Sequence, residues 1–312
     1  MLHEEPSFAD KRSTGLCLAG YAIIALLSSL AAGNAAAQSA LLTISTARPQ
    51  PGSIVTLSVR DDGASGDSIT SISGTMGGEP LHFQAETLGT WRAIGGVPVD
   101  ASDKVIARVL VTRSSRAVDS LTAEVTLPRP VAAAAGRRRQ LAVSPRFTNP
   151  MDAETEARVA RENARARDVG RSSHDTPQLW TLPFLRPRAS TVTSRFGSGR
   201  LFNGTVTSRH LGVDFRGAVG APVSAANRGV VALVGDFFLA GSVVYIDHGG
   251  GLVTSYFHLS ETIVAAGDTV ARGQKIGSVG ASGRVTGPHL HWSARYGALT
   301  VNPMDLLALR PP

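Results

Sequence analysis

Five side chains in the last third of the sequence are of the types that bind metal and move protons: His210, Asp214, His258, His289 and His291. They lie in three short segments, Arg209-His-Leu-Gly-Val-Asp-Phe215, Thr254-Ser-Tyr-Phe-His-Leu259 and Gly287-Pro-His-Leu-His-Trp292. Each segment alternates with a period of two, so each is expected to be a strand. In the first, Leu211, Val213 and Phe215 would point into a core, while His210 and Asp214 share the other face across the open space left by Gly212. In the second, Thr254, Tyr256 and His258 would line one face, opposite Ser255, Phe257 and Leu259. In the third, His289 and His291 share a face about 6.6 Å apart along the strand, and Leu290 and Trp292 point away. Neutral imidazole and carboxylate suit Zn2+, whose catalytic sites use three protein ligands and keep one position for water. Five candidates for three places leave two groups for proton handling and transition-state stabilisation. Spacing alone does not say which of His289 and His291 would ligate.

Other chemistries are excluded by what the chain lacks. Its single cysteine, Cys17, cannot build a disulfide, a thiolate zinc site or an iron–sulfur cluster. No His-Glu-x-x-His helix occurs, so a zinc site with a glutamate base on that motif is absent. His3, His82 and His174 stand without partners in the sequence.

The elements that must position these groups occupy the end of a chain of 312 residues, 43% hydrophobic and 18% charged, enough for two domains with cores. Lys11 and Arg12 precede an apolar run, Leu16 to Ala32, followed by small residues at Ala35 and Ala37. This pattern predicts a secretory signal over residues 1–37, rather than a membrane anchor, and takes Cys17 away with it. Residues 41–128 alternate in short runs between turn signals such as Asp61-Asp62-Gly63 and Gly77-Gly78, as in a small β-sandwich. Residues 129–185 read as a linker with a basic triplet, Arg137 to Arg139, and then an exposed helix over Asp152 to Asp168, where Glu154 and Arg158 could pair. Residues 186–309 read as a compact, mostly antiparallel β domain. The fold class is therefore mostly β, with one short connecting helix.

The spacing His210-x-x-x-Asp214, the pair His289-x-His291 and the intervening Tyr256-x-His258-Leu259 resemble the LytM/lysostaphin family of zinc endopeptidases, peptidase family M23. The resemblance runs from about Ser194 to Asp305. It includes Arg195-Phe-Gly197, Asn203-Gly204, Gly220-Ala-Pro-Val223, Asp247-His-Gly249, Gly273-Gln-Lys-Ile-Gly277 and Gly283-Arg-Val-Thr-Gly-Pro-His-Leu-His291. It implies that His210, Asp214 and His291 ligate Zn2+, and that His258 and His289 activate the attacking water or stabilise the developing oxyanion. Tyr256 and Asn203 could lend hydrogen bonds to substrate or intermediate, and His248 would be structural. The implied substrate is the peptide part of bacterial peptidoglycan, either glycine-rich bridges or D-amino-acid cross-links; the Ala/Arg-rich exported chain makes D-Ala–diaminopimelate the expected bond, in a periplasmic or secreted protein of the cell envelope.

Lys and Arg total 31 against 24 Asp and Glu, a net charge of +7, which suits an anionic wall. A nucleic-acid partner is not expected, because the chain carries an export signal and no recognised binding motif. No stable membrane span is expected once the signal is cleaved. A second reading is a non-catalytic member of the family that binds and activates another wall hydrolase. Loss of metal ligands would mark that class, and all three are present here. The upstream module or the 150–185 segment is expected to gate the cleft.

Overall fold

The computed structural model describes residues 40–311 except 46–48, 62, 64–65, 88, 129–138 and 149. The expected signal with Cys17, His3, and Arg137 and Arg138 of the basic triplet lie outside the described residues.

The N-terminal module pairs two antiparallel four-stranded sheets. One has the order β1 (Ala40–Ser45), β2 (Ile54–Asp61), β6 (Thr90–Gly96), β5 (Gln84–Thr87). The other has the order β4 (Glu79–Pro80), β3 (Ile69–Met76), β7 (Lys104–Arg113), β8 (Val118–Thr126). Period-two alternation makes the fold: Val105, Ala107, Val109 and Val111 of β7 point inward against Leu57 and Val59 of β2 in one core cluster. This is the sandwich expected from the sequence.

A strand, β9 (Arg139–Leu141), and a helix, α1 (Ala153–Ser172), connect the module to the C-terminal domain. Asp152 caps α1 by accepting from the Thr155 N–H at 2.7 Å. The expected Glu154–Arg158 pair does not form. Arg158 reaches instead to Glu162 at 2.7 Å and to Asp236 at 3.2 Å. Nor is the helix simply exposed, because Glu162, Ala166 and Gly170 are buried. Gly170 has a reason to be glycine: a Cβ there would collide with the Gly297 carbonyl, so the helix rides directly on backbone.

The C-terminal domain is built on a sheet ordered β10 (Val192–Ser194), β13 (Val213–Arg216), β20 (His289–Tyr296), β17 (Leu252–Thr262), β16 (Gly241–Gly249), β15 (Gly229–Phe237), β18 (Thr269–Val270). Strands β14 (Pro222–Ser224), β19 (Lys275–Val279) and β21 (Leu299–Val301) attach to it. All pairings within this sheet are antiparallel. A smaller sheet carries the hairpin β11 (Gly199–Phe202) and β12 (Val206–Arg209), with β9 parallel to β11. The core joins Phe215, Tyr256, Leu290, Trp292 and Tyr296 and also takes in Trp180 and Phe184. Those two aromatics precede residue 186, so the packed unit starts earlier in the chain than the composition shift suggests.

The two modules meet through polar groups that the sequence showed as unpartnered. His82 Nε2 lies 2.8 Å from His174 Nδ1, and His174 Nε2 lies 2.9 Å from Glu79 Oε2. Glu79 also accepts from the Ala298 N–H, and Tyr296 donates to the Pro80 carbonyl at 2.6 Å. His82 and His174 are thus seam residues; sequence distance hid the contact. Among the described residues no helix is long and apolar enough to cross a membrane.

Candidate active site

The strand order β13–β20–β17 sets Asp214, His291 and Phe257 side by side as cross-strand neighbours. On β20 the expected alternation holds, with Leu290, Trp292 and Ala294 fully buried behind and His289 and His291 in front. Phe257 stacks on the His291 ring at 5.2 Å between centroids and 4° between planes.

The first segment departs from expectation. His210 is not on a strand but in the bend between β12 and β13, and Leu211 is 39% exposed rather than in the core. The bend is tied down by Ser293, whose hydroxyl donates to the Leu211 carbonyl at 2.8 Å. Gly212 does not leave open space: a Cβ there would strike His291 Nε2 and come within 2.6 Å of the Trp292 carbonyl. The missing side chain lets the imidazole approach the backbone.

The second segment departs further. Tyr256 pairs with Trp292 and is fully buried on the core face, its hydroxyl 2.8 Å from the Ala226 N–H and 2.9 Å from Thr254 Oγ1. It does not reach the cleft. An uninterrupted strand would send His258 the same way. Instead His258 adopts φ +63°, the left-handed region rarely used outside glycine, within an irregular stretch of β17 pairing. That turn of the backbone brings His258 back to the side of His289 and His291, at ring separations of 5.0 and 5.9 Å. Strained backbone held by its surroundings is a mark of functional sites. Asn203 is also placed elsewhere. It sits in the β11–β12 turn with its side chain spent on Val143 and Thr148.

His210 Nε2 and His291 Nδ1 each lie 2.9 Å from Asp214 Oδ1 and 3.0 Å from one another. These three are the one group among the described residues whose ligand atoms all fall within 4.8 Å, close enough to hold a metal ion. Burial pushes the Asp214 carboxyl up, but its hydrogen-bonding to His210 and His291 outweighs this and holds it far below the usual range. Burial also pushes His291 down to about 4, so it is neutral at pH 7. His210 Nδ1 faces the Arg195 carbonyl at 2.9 Å, and a proton donated there leaves Nε2 as a lone pair. A lone pair, an imidazole nitrogen and a carboxylate oxygen then converge, an arrangement that a shared cation relieves. The donor set fits a metal.

Arg200 on β11 donates to Asp214 Oδ2 and to Ser194 Oγ, leaving Oδ1 for the imidazole side. Neither spacing nor composition marked Arg200 or Ser194, since the contact joins separate strands. His258 Nδ1 faces the Ser282 carbonyl and His289 Nδ1 the Gly287 carbonyl, each at 2.8 Å. Donation to those carbonyls leaves both Nε2 atoms as acceptors. Burial, and then the neighbouring His289 and His291, push His258 well below its ordinary pKa. His248 lies apart, fully buried between the Arg228 carbonyl and Thr254.

Residues 208–303 match Peptidase family M23. The chain is 42% identical over 116 residues to the peptidoglycan DD-endopeptidase ShyA of Vibrio cholerae, covering 36% of this chain and 26% of that protein. It is 41% identical over 102 residues to the DD-carboxypeptidase/endopeptidase Mpg of Neisseria meningitidis, covering 33% and 24%. The matched part thus spans about a quarter of the length of these relatives. A crystal structure assigned to peptidase M23 from Pseudomonas aeruginosa superposes with TM-score 0.62 at 26% identity, over 83% of this chain and 95% of that one. That alignment is too long to be confined to the C-terminal domain. The bend with His210, strand β13 with Asp214 and the strand with His289 and His291 all fall inside residues 208–303, the part of the chain that is similar to peptidase family M23.

Proposed function

We propose that this protein is a zinc-dependent endopeptidase that hydrolyses peptide cross-links of bacterial peptidoglycan, acting on D-Ala–diaminopimelate bonds outside the cytoplasm. The observation that carries the reading is the convergence of His210 Nε2, His291 Nδ1 and Asp214 Oδ1 beside two further histidines with free Nε2 atoms. The names of the relatives in Vibrio and Neisseria support the substrate class.

In this reading His210, Asp214 and His291 hold Zn2+. When bound, zinc lowers the pKa of a coordinated water towards 7 and polarises the scissile carbonyl. His258, neutral because it is buried, accepts a proton at Nε2 from the attacking water, and the Ser282 carbonyl keeps its other nitrogen protonated. His289, oriented by the Gly287 carbonyl, lies on the Asp214 side with Nε2 3.7 Å from Oδ1, and its role in this reading is the second proton or the developing oxyanion. Arg200 fixes Asp214 through Oδ2. Neither Tyr256 nor Asn203 is given a role, because both side chains are bonded elsewhere.

The N-terminal module would limit access to the cleft. Its Val99 carbonyl accepts from Arg209, the neighbour of His210, and Phe196 packs against Gly52. A chain lacking residues 40–128 should then cleave faster than the full chain; equal rates would argue against gating. The decisive test of function is zinc content of the purified protein, followed by digestion of purified sacculi by wild type and His210→Ala. We expect metal and released muropeptides from wild type, and a loss of at least about a thousandfold in the variant. Wild type with bound metal and no product would favour the regulatory reading.

A further inference from the structure

The cleft holds more positive charge than its own residues neutralise. Arg200, its side chain 15% exposed, gives its terminal nitrogen to Asp214 and Ser194, while its Nε is buried with no hydrogen-bond partner among the described residues. Two positions along the same strand, buried Phe202 carries the Arg284 guanidinium 4.2 Å above its ring centroid. Arg284 comes from the loop that leads into His289, and its backbone N–H is held by the Leu239 carbonyl at 2.9 Å. Among the described residues its side chain has this aromatic contact and no carboxylate partner. Burial, and then the charge of Arg200, press its pKa downward, and Arg139 adds to the same field at Arg200. The carboxylate at hand, Asp214, is already committed to His210, His291 and Arg200.

A half-buried guanidinium stacked on an aromatic ring is pre-organised, and its planar fork matches a carboxylate. We propose that Arg284, with Arg200 behind it, is a specificity residue that binds a free carboxylate of the peptide substrate beside the scissile bond. This rests on the endopeptidase reading above and narrows its substrate. Two candidates are the free carboxylate of the diaminopimelate at the cross-link and the terminal carboxylate of a D-Ala.

The test is binding of a fluorescent cross-linked peptide whose scissile amide is replaced by a ketomethylene unit, so that nothing is cleaved. It is made as the free acid, amidated at diaminopimelate, amidated at the terminus, and amidated at both. The metal-loaded full chain should bind the free acid about tenfold more tightly than the doubly amidated peptide, the scale of a charge-assisted hydrogen bond. The singly amidated peptides say which carboxylate is read. Arg284→Gln should bind acid and amide alike, and Arg284→Lys should recover part of the difference. A wild type indifferent to amidation, or an Arg284→Gln protein that keeps the preference, would overturn the proposal. Hydrolysis of the unmodified peptide by wild type reads the endopeptidase function separately, so the two failures look different.

Discussion

The two modules are made from the same material and use it in opposite ways. Both are antiparallel β structure punctuated by glycine turns. In the N-terminal sandwich the inner faces of β2 and β7 are apolar except at one end, where Arg113 is buried. Among the described residues its one deeply buried guanidinium, Arg113, is neutralised by Asp61 and Asp119. In the C-terminal domain a sheet with an equally apolar back, Leu290, Trp292 and Ala294, buries His210, Asp214, His258 and His291 on its front. Buried polar groups cost free energy unless they are paired. The inner faces of β2 and β7 confine that cost to one paired arginine, whereas the C-terminal sheet gathers four such groups at one spot, beside a left-handed backbone at His258 and a missing side chain at Gly212. The contrast separates a scaffold from a site more sharply than composition does.

Removing the metal should break the contrast most strongly. If a bound ion is present at a thousand times its dissociation constant, chelation should lower C-terminal stability by about 4 kcal/mol. Hydrogen exchange should then quicken in β13 and β20 and stay unchanged in β7; equal acceleration in both would show that the cluster does not hold the ion. Leu57→Ala attacks the other side. It empties a fully buried position in the sandwich core and should cost about 3 kcal/mol in denaturant unfolding, with zinc stoichiometry untouched. Loss of metal in that variant would mean that the site depends on the sandwich.

His248 offers a comparable effect through pH. Burial pushes it down to about 4, so the unfolded chain binds a proton that the native one refuses as pH falls below about 6.5. Stability contributed by the neutral ring is full above that pH and declines towards pH 4, by up to about 3 kcal/mol. Unfolding curves of wild type and His248→Gln between pH 4 and 7 should converge at the acid end, and parallel curves would refute the assignment. The smallest effect sharpens one side chain. Tyr256→Phe leaves the Ala226 N–H without its partner and should cost about 1–2 kcal/mol of stability, while kcat stays within about twofold of wild type. A large fall in kcat with intact folding would return Tyr256 to the cleft.

Much of this was legible because local rules governed it. The sandwich strands, β20 and its two histidines follow strict alternation, since each has one face on a core. Alternation failed where tertiary structure overrode it. Tyr256 and His258 share a parity but end on opposite sides, because φ +63° at His258 breaks the period. Leu211 looked apolar and inward, yet it lies on a bend whose course is set by Ser293 and by the close passage of Gly212 over His291. Arg200, His82 and His174 gave no signal, and Arg284 stood in a motif without a role, because each partner is remote in the chain and close only after folding.

What the sequence by itself determined is the inventory and the scaffold: five candidate groups, a single cysteine that can form no intrachain disulfide, and two β modules joined by a helix. Side-chain chemistry and period-two burial are properties of short stretches, so they can be read without coordinates. What only the tertiary structure decided is which groups meet. The order β13–β20–β17 places Asp214 beside His291, a left-handed residue turns His258 towards them, and the β11 hairpin brings an arginine to the far oxygen of the same carboxylate. Those are contacts between segments far apart in the chain, and they arise only when the sheet has formed and its backbone has paired.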